Sequence, residues 1–421
     1  MKFARLLPAL LAALLLPAAL RAADTSTAAT AINTLGIELL AKTGKAGANA
    51  LISPYSIQST LAMTYAGADG GTRSEMARVL HFPRDGAELN ASFFELNKEL
   101  NAITQESATF AEIGKMLREG REPVSLMIAN RLFGQSGFEF RKSFLDTLQS
   151  DYGAPFEALD FSKKPGDAVR LINQWVETQT KQRIQDLIPG NALNKETRLV
   201  LVNAIYFKAA WNFVFQTNGT EPRPFRIAGT EQASVPTMLN TSHMAFAKRD
   251  GCTAVAIPYI NDELQFLILL PDQPDGLAAF EANLDAKLLS ACAHLEQPKV
   301  TLYLPKFKME PPTLALGDEL KSLGMKSAFD IPKGSANFDI MAPQTPDSYL
   351  FISQIFHKTF LTIDEYGTEA AAATSNMMAT LGIEKPEAKP VEIHVDHPFL
   401  FAIQHRASGA CLFLGRVTDP R

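Results

Sequence analysis

The side chains of this sequence that could do chemistry do not converge on a catalytic centre. Its seven histidines are scattered. There is no G-x-S-x-G turn for a nucleophilic serine, no H-E-x-x-H for zinc, no paired C-x-x-C and no glycine-rich phosphate loop. His394 and His397 fall on one predicted strand, which is thin support for a metal site. No enzyme activity, no metal and no cofactor are therefore expected. Cys252, Cys292 and Cys411 allow at most one internal disulfide, so the fold cannot depend on a disulfide framework. Cys252 and Cys411 lie in apolar, strand-like surroundings and read as small buried hydrophobes.

One stretch does stand out: Ala370 to Ile383 carries no charged residue and opens with four alanines, Ala370 to Ala373. Alanine favours helix, yet Thr374, Ser375 and Asn376 follow, and Gly382, Pro386 and Pro390 stop any long helix. Composition alone reads this as a surface loop with a frayed helical turn. The competing reading is a segment kept small and uncharged so that it can enter a β-sheet. Alternate residues of a strand share a face, so Thr368, Ala370, Ala372 and Thr374 would turn inward and Glu369 toward solvent. Each inward residue is cheap to bury.

The elements around this segment are mixed. Helical spacing is read over Thr30–Lys42, over a helix capped by Ser53 with Pro54 in its first turn, and at Thr72–Leu80, Glu88–Ile103, Arg141–Tyr152 and Asp167–Arg183. Gln105–Pro123 reads as a polar helix-and-turn connection. Strands are expected at Val124–Phe133, Phe156–Phe161 and Arg198–Phe207, the last apolar on both faces as a central strand is. The final third is mainly strand: Thr253–Ile257, Leu264–Leu270, Val300–Leu304, Leu350–Ile363, Val391–Val395, and a closing pair, Pro398–His405 and Ala410–Val417. A helix at Thr313–Leu323 interrupts them. No linker marks a boundary, and the class is α+β in one domain.

Lys2 and Arg5 precede an almost wholly Leu, Ala and Pro run from Leu6 to Leu20, the layout of a bacterial-type secretory signal peptide over residues 1–22. The mature domain then spans 23–421, and a secreted or periplasmic location in the extracellular space is expected. Hydrophobic residues make up 46% and charged residues 20%, enough apolar material for a large core. With a net charge of −5, nothing suggests a nucleic-acid or membrane partner.

Five pieces in order carry a family resemblance: Ile52-Ser53-Pro54-Tyr55-Ser56-Ile57; Asn203-Ala204-Ile205-Tyr206-Phe207-Lys208 with Trp211; Leu304-Pro305-Lys306-Phe307; Asp364-Glu365-Tyr366-Gly367-Thr368-Glu369 followed by Ala370 to Thr374; and His397-Pro398-Phe399-Leu400-Phe401 with Leu412 to Val417 and Pro420. Together the sequence resembles a serpin over nearly all of the mature chain. The resemblance implies three β-sheets, about nine helices and an exposed reactive-centre loop over residues 367–395.

It further implies a monomeric inhibitor of a serine protease, or of a cysteine protease, that is cut in the loop and inserts the cut end into a sheet. The hinge would be Glu365, Gly367, Thr368, Glu369, Ala370, Ala371, Ala372, Ala373 and Thr374. Ser53, Ser56, Asn203 and His357 would form a shutter beneath the central sheet, with Trp211 at the breach where insertion starts. Counting by the family's hinge length puts the scissile bond between Leu381 and Gly382, with Thr380 and Met378 as alternatives. Leucine there suits a chymotrypsin-like protease and Thr380 an elastase-like one. The rival expectation is a non-inhibitory serpin acting as carrier, chaperone or storage protein, against which the small-residue hinge speaks.

Overall fold

The computed structural model describes residues 24–43, 47–83, 86–116, 122–154, 156–228, 231–249, 251–369 and 389–421. Among them are nine α-helices and three β-sheets of six, four and seven strands. The class is α+β, as expected.

The seven-stranded sheet positions everything that follows. From one side it runs Glu157–Leu159, Ser125–Gln135, Leu199–Ala210 and Ile352–Ile363, with the short strands Phe307–Met309 and Leu314–Ala315 on the far edge. Leu199–Ala210 is buried on both faces for a reason visible in its alternation. Val200, Val202 and Ala204 pack with Ala168, Val169, Ile172 and Val176 of the Pro165–Gln179 helix, which crosses that face. Leu201, Ile205 and Phe207 turn the other way, into the main core.

Beneath that second face lies the Pro54–Ala66 helix. The Ser53 hydroxyl caps it by accepting from the Ser56 N–H, and Pro54 fills the first turn. The closing strands Phe399–His405 and Cys411–Val417 pair as a hairpin in the middle of the six-stranded sheet.

Sequence patterning erred where tertiary contacts outvoted local signals. Gly86–Met116 is one helix, not a helix ending at Ile103 followed by a connection. Ser107 and Ala111 continue its buried stripe, and the Ser107 hydroxyl accepts from the Val124 N–H. The expected Thr313–Leu323 helix is only Gly317–Ser322, because Leu314 and Ala315 pair in extended form with His357 and Phe356. The strands Glu221–Ala228 and Glu231–His243 were missed altogether. Pro222, Pro224 and Pro236 disguise them; the first two are tolerated on an edge strand that needs few donors. Cys252, Cys292 and Cys411 are all free and buried, and burial pushes the Cys252 and Cys411 thiols up to about 12.

Candidate functional site

The site is a seam. Leu199–Ala210 and Ile352–Ile363 lie side by side in parallel, in register from Val200 with Gln354 to Tyr206 with Phe360, after a bulge at Ser353 that separates this run from the pairing of Leu199 with Ile352. At one end they diverge, and the two-residue strand Gly367–Thr368 wedges between them. It is antiparallel to both: Gly367 and Thr368 pair with Ala210 and Ala209, and Thr368 also with Ile363. Gly367 is required here. Its φ is +153°, and a Cβ would fall 2.0 Å from the Ala209 carbonyl oxygen.

The wedge is anchored on every side. Thr368 is fully buried, and its hydroxyl shares a hydrogen bond with the phenol of Tyr259. Tyr259 stacks on Trp211 at 4.7 Å between centroids. Trp211 in turn donates from Nε1 to the Asp364 carbonyl at 2.9 Å and from its backbone to that of Tyr366. The Glu365 carboxylate accepts from Thr220 and pairs with Lys306 at 2.7 Å. These bonds outweigh burial and hold its carboxyl below the usual range. The residues assigned to the hinge entrance and to the breach therefore meet in one cluster.

Glu369, expected to face solvent in an inserted strand, is held differently in the uncut chain. The chain leaves extended geometry there, with φ +47°, and the side chain is only 14% exposed. It pairs with Arg183 at 2.6 Å, because the segment after the Pro165–Gln179 helix roofs that face of the sheet. Burial outweighs Arg183, Lys208 and Lys308 and leaves the carboxyl above its ordinary range. The rest of the expected hinge (Ala370, Ala371, Ala372, Ala373 and Thr374) and the reactive-site candidates Met378, Thr380, Leu381 and Gly382 lie outside the described residues, as does the leader.

Midway along the seam the four shutter candidates do come together. His357 and Asn203 are direct neighbours across the parallel pair. The Ser53 N–H donates to His357 Nε2 at 3.0 Å, so the ring proton sits on Nδ1. Full burial drives the His357 pKa down to about 3, the Asn203 backbone pulling the other way. The Ser53 hydroxyl donates to the Leu412 carbonyl and Ser56 donates to Asn130 Oδ1, each at 2.6 Å. Asn130 was missed in the sequence; only its pairing opposite Asn203 reveals it.

Both ends of the fully buried Asn203 amide, and His357 Nδ1, lack a hydrogen-bond partner among the described residues. An unmade bond of this kind costs about 1–3 kcal/mol. His394 and His397 do not meet. His394 pairs with Glu392, and His397 lies between Asp396 and the Pro271 carbonyl.

The model of the family "Serpin (serine protease inhibitor)" matches residues 30–420. The chain is a serpin. It is 35% identical over 381 residues to the leukocyte elastase inhibitor of Bos taurus, covering 88% of this chain and 93% of that one. Among solved structures this serpin resembles Serpin48, described as a highly specific serpin of the insect Tenebrio molitor. That match has a TM-score of 0.73 and 31% identity over 94% of this chain and 97% of that one. It also resembles human thyroxine-binding globulin, with a TM-score of 0.75 and 27% identity over 94% and 100% of the two chains. The seam and the wedge thus lie in the seven-stranded sheet of a serpin.

Proposed function

We propose that this serpin inhibits serine endopeptidases by acting as a suicide substrate. A protease cuts the 367–395 loop, and the freed hinge then runs down the seam as an added strand, carrying the acylated protease with it. One observation carries the reading: the register of the wedge. Thr368 already lies opposite Ala209 and Ile363. Continuing that pairing six residues deeper places Thr374 opposite Asn203 and His357 at once. Its hydroxyl would enter on the face where Thr368 now points, beside the unpaired Asn203 amide and His357 Nδ1.

The energetics run the same way. About 14 inserted residues at roughly 3.3 Å each would move the cut end by about 45 Å. A strand bonded on both sides gains a dozen or more hydrogen bonds at about 0.5–1.5 kcal/mol net apiece, on the order of 10 kcal/mol. The uncut form is then held by a kinetic barrier.

Leu381–Gly382 is our candidate scissile bond, with Thr380 or Met378 as the alternative residue before the cut. It directs the inhibitor to chymotrypsin-like or elastase-like targets, since a deep primary pocket reads mainly this side chain. The likeness to thyroxine-binding globulin keeps a carrier role as the second reading, but an intact small-residue hinge has no use in a protein that never inserts. We place the protein outside the cytoplasm, in the periplasm or the medium, and acting as a monomer.

The test is incubation of the mature protein with chymotrypsin, elastase, subtilisin and trypsin. A covalent complex that survives boiling in SDS is expected with one of the first two, and the released peptide should begin at Gly382. Cleavage without any complex would favour the carrier reading.

A further inference from the structure

We propose that Asn218, beside the hinge entrance, is a modification site where spontaneous deamidation yields aspartate or isoaspartate and loosens the contact between Thr220 and Glu365. The modification itself needs no protease; its effect on inhibition rests on the proposed function.

Asn218-Gly219 is the one Asn-Gly pair in the sequence. It falls in the short turn Thr217–Gly219, which leads into the Glu221–Ala228 strand. Asn218 is exposed, and no hydrogen bond among the described residues holds its side-chain amide. Asn240, close by, shows the contrast: its amide donates to the carbonyls of both Phe213 and Val214.

The fold does not call for glycine at position 219. Its φ lies outside the left-handed range, and an added Cβ would meet nothing closer than 3.9 Å. What the glycine supplies is an unshielded backbone nitrogen directly after an asparagine. That nitrogen loses its proton to solvent base and bonds to Asn218 Cγ. The Cγ–Nδ2 bond breaks, and the amide nitrogen takes a proton from water and leaves as ammonia. Water then opens the cyclic imide at either carbonyl. One opening gives aspartate; the other gives isoaspartate, in which the main chain runs through the former side chain. Water is the only co-reactant. The Gly219 N–H must first release the Gln216 carbonyl, to which it donates at 2.9 Å. A single exposed turn opens locally at little cost.

The position gives the reaction its consequence. Two residues on, the Thr220 hydroxyl donates to Glu365 at 2.8 Å. Glu365 also pairs with Lys306, and its carbonyl accepts from the Phe215 N–H. Isoaspartate lengthens the main chain by a methylene just ahead of Thr220, and either product adds a negative charge to the turn. Thr220 is drawn off a largely buried carboxylate that then lacks one of its donors. The anchor at the hinge entrance weakens as the protein ages.

The test is to age the full uncut protein in mildly alkaline heavy-oxygen water and map its peptides by mass spectrometry. Heavy oxygen should enter at residue 218. Gly219→Ala, which the fold has room for, should slow this severalfold, and Asn218→Ser should abolish it. No label at 218, or an equal rate in Gly219→Ala, overturns the site. Aged wild type should unfold at a lower denaturant concentration than fresh protein, by more than aged Asn218→Ser does. Equal losses in the two overturn the link to Glu365. Aged wild type should also form less SDS-stable complex than fresh protein, and equal yields overturn the loss of inhibition. Fresh protein that traps no protease would count against the proposed function alone, because labelling and unfolding are read without one.

Discussion

The Thr368 hydroxyl and the Tyr259 phenol share a hydrogen bond at 2.5 Å inside the sheet, so the first hinge residues are already seated before any cut. Tyr259→Phe leaves a buried hydroxyl without its partner. The uncut protein should lose about 1 kcal/mol, read as a lower denaturant midpoint. An unchanged midpoint would mean that the wedge is not held there.

On the proposed mechanism, the Arg183–Glu369 pair opposes insertion. Glu369 must abandon its left-handed backbone and its ion pair before the strand can lengthen. Arg183 is half exposed, so the pair is worth no more than about 1 kcal/mol. Arg183→Ala should then speed formation of the SDS-stable protease complex by up to about fivefold. A slower reaction would show that the pair instead guides the hinge.

Thr374 tests the register. Thr374→Arg would drive a cation between Asn203 and His357, stalling insertion and turning inhibitor into substrate. Complex yield should fall to a small fraction while cleavage continues. Undiminished yield would remove Thr374 from that position. Thr374→Ala should lower only the stability of the cut form, by about 1 kcal/mol.

The pH dependence has a definite sign. The His357 pKa is driven to about 3 and that of His405 to about 4, both by burial. An unfolded histidine titrates near 6.5. Below that pH the unfolded chain takes up protons that the folded chain refuses. The stability present above pH 6.5 is therefore lost as pH falls toward those values, by about 1.4 kcal/mol per pH unit for each histidine. At pH 5 the two should together cost about 4 kcal/mol, and His357→Gln should remove about half of that drop. Denaturant midpoints equal at pH 7 and pH 5 would contradict it.

Much of this was legible in the sequence. The β-rich stretch Arg198–Phe207, apolar on both faces, and the strand pattern at Leu350–Ile363 announced the two strands of the seam, and Ser53-Pro54 announced the helix beneath it. What stayed hidden depends on contacts between distant parts of the chain. Nothing near Asn130 signals its bond to Ser56. Nothing near Arg183 foretells that it covers Glu369, which alternation alone had sent to solvent. Pro222 and Pro224 masked a strand because local pattern cannot say which strand lies at an edge.

Nicking the loop and heating the product tests the central claim most directly. If the cut hinge fills the seam, the nicked protein should melt well above the uncut protein, because an added strand contributes on the order of 10 kcal/mol. A nicked protein that unfolds at the same temperature as the intact one, or below it, would contradict insertion between Leu199–Ala210 and Ile352–Ile363.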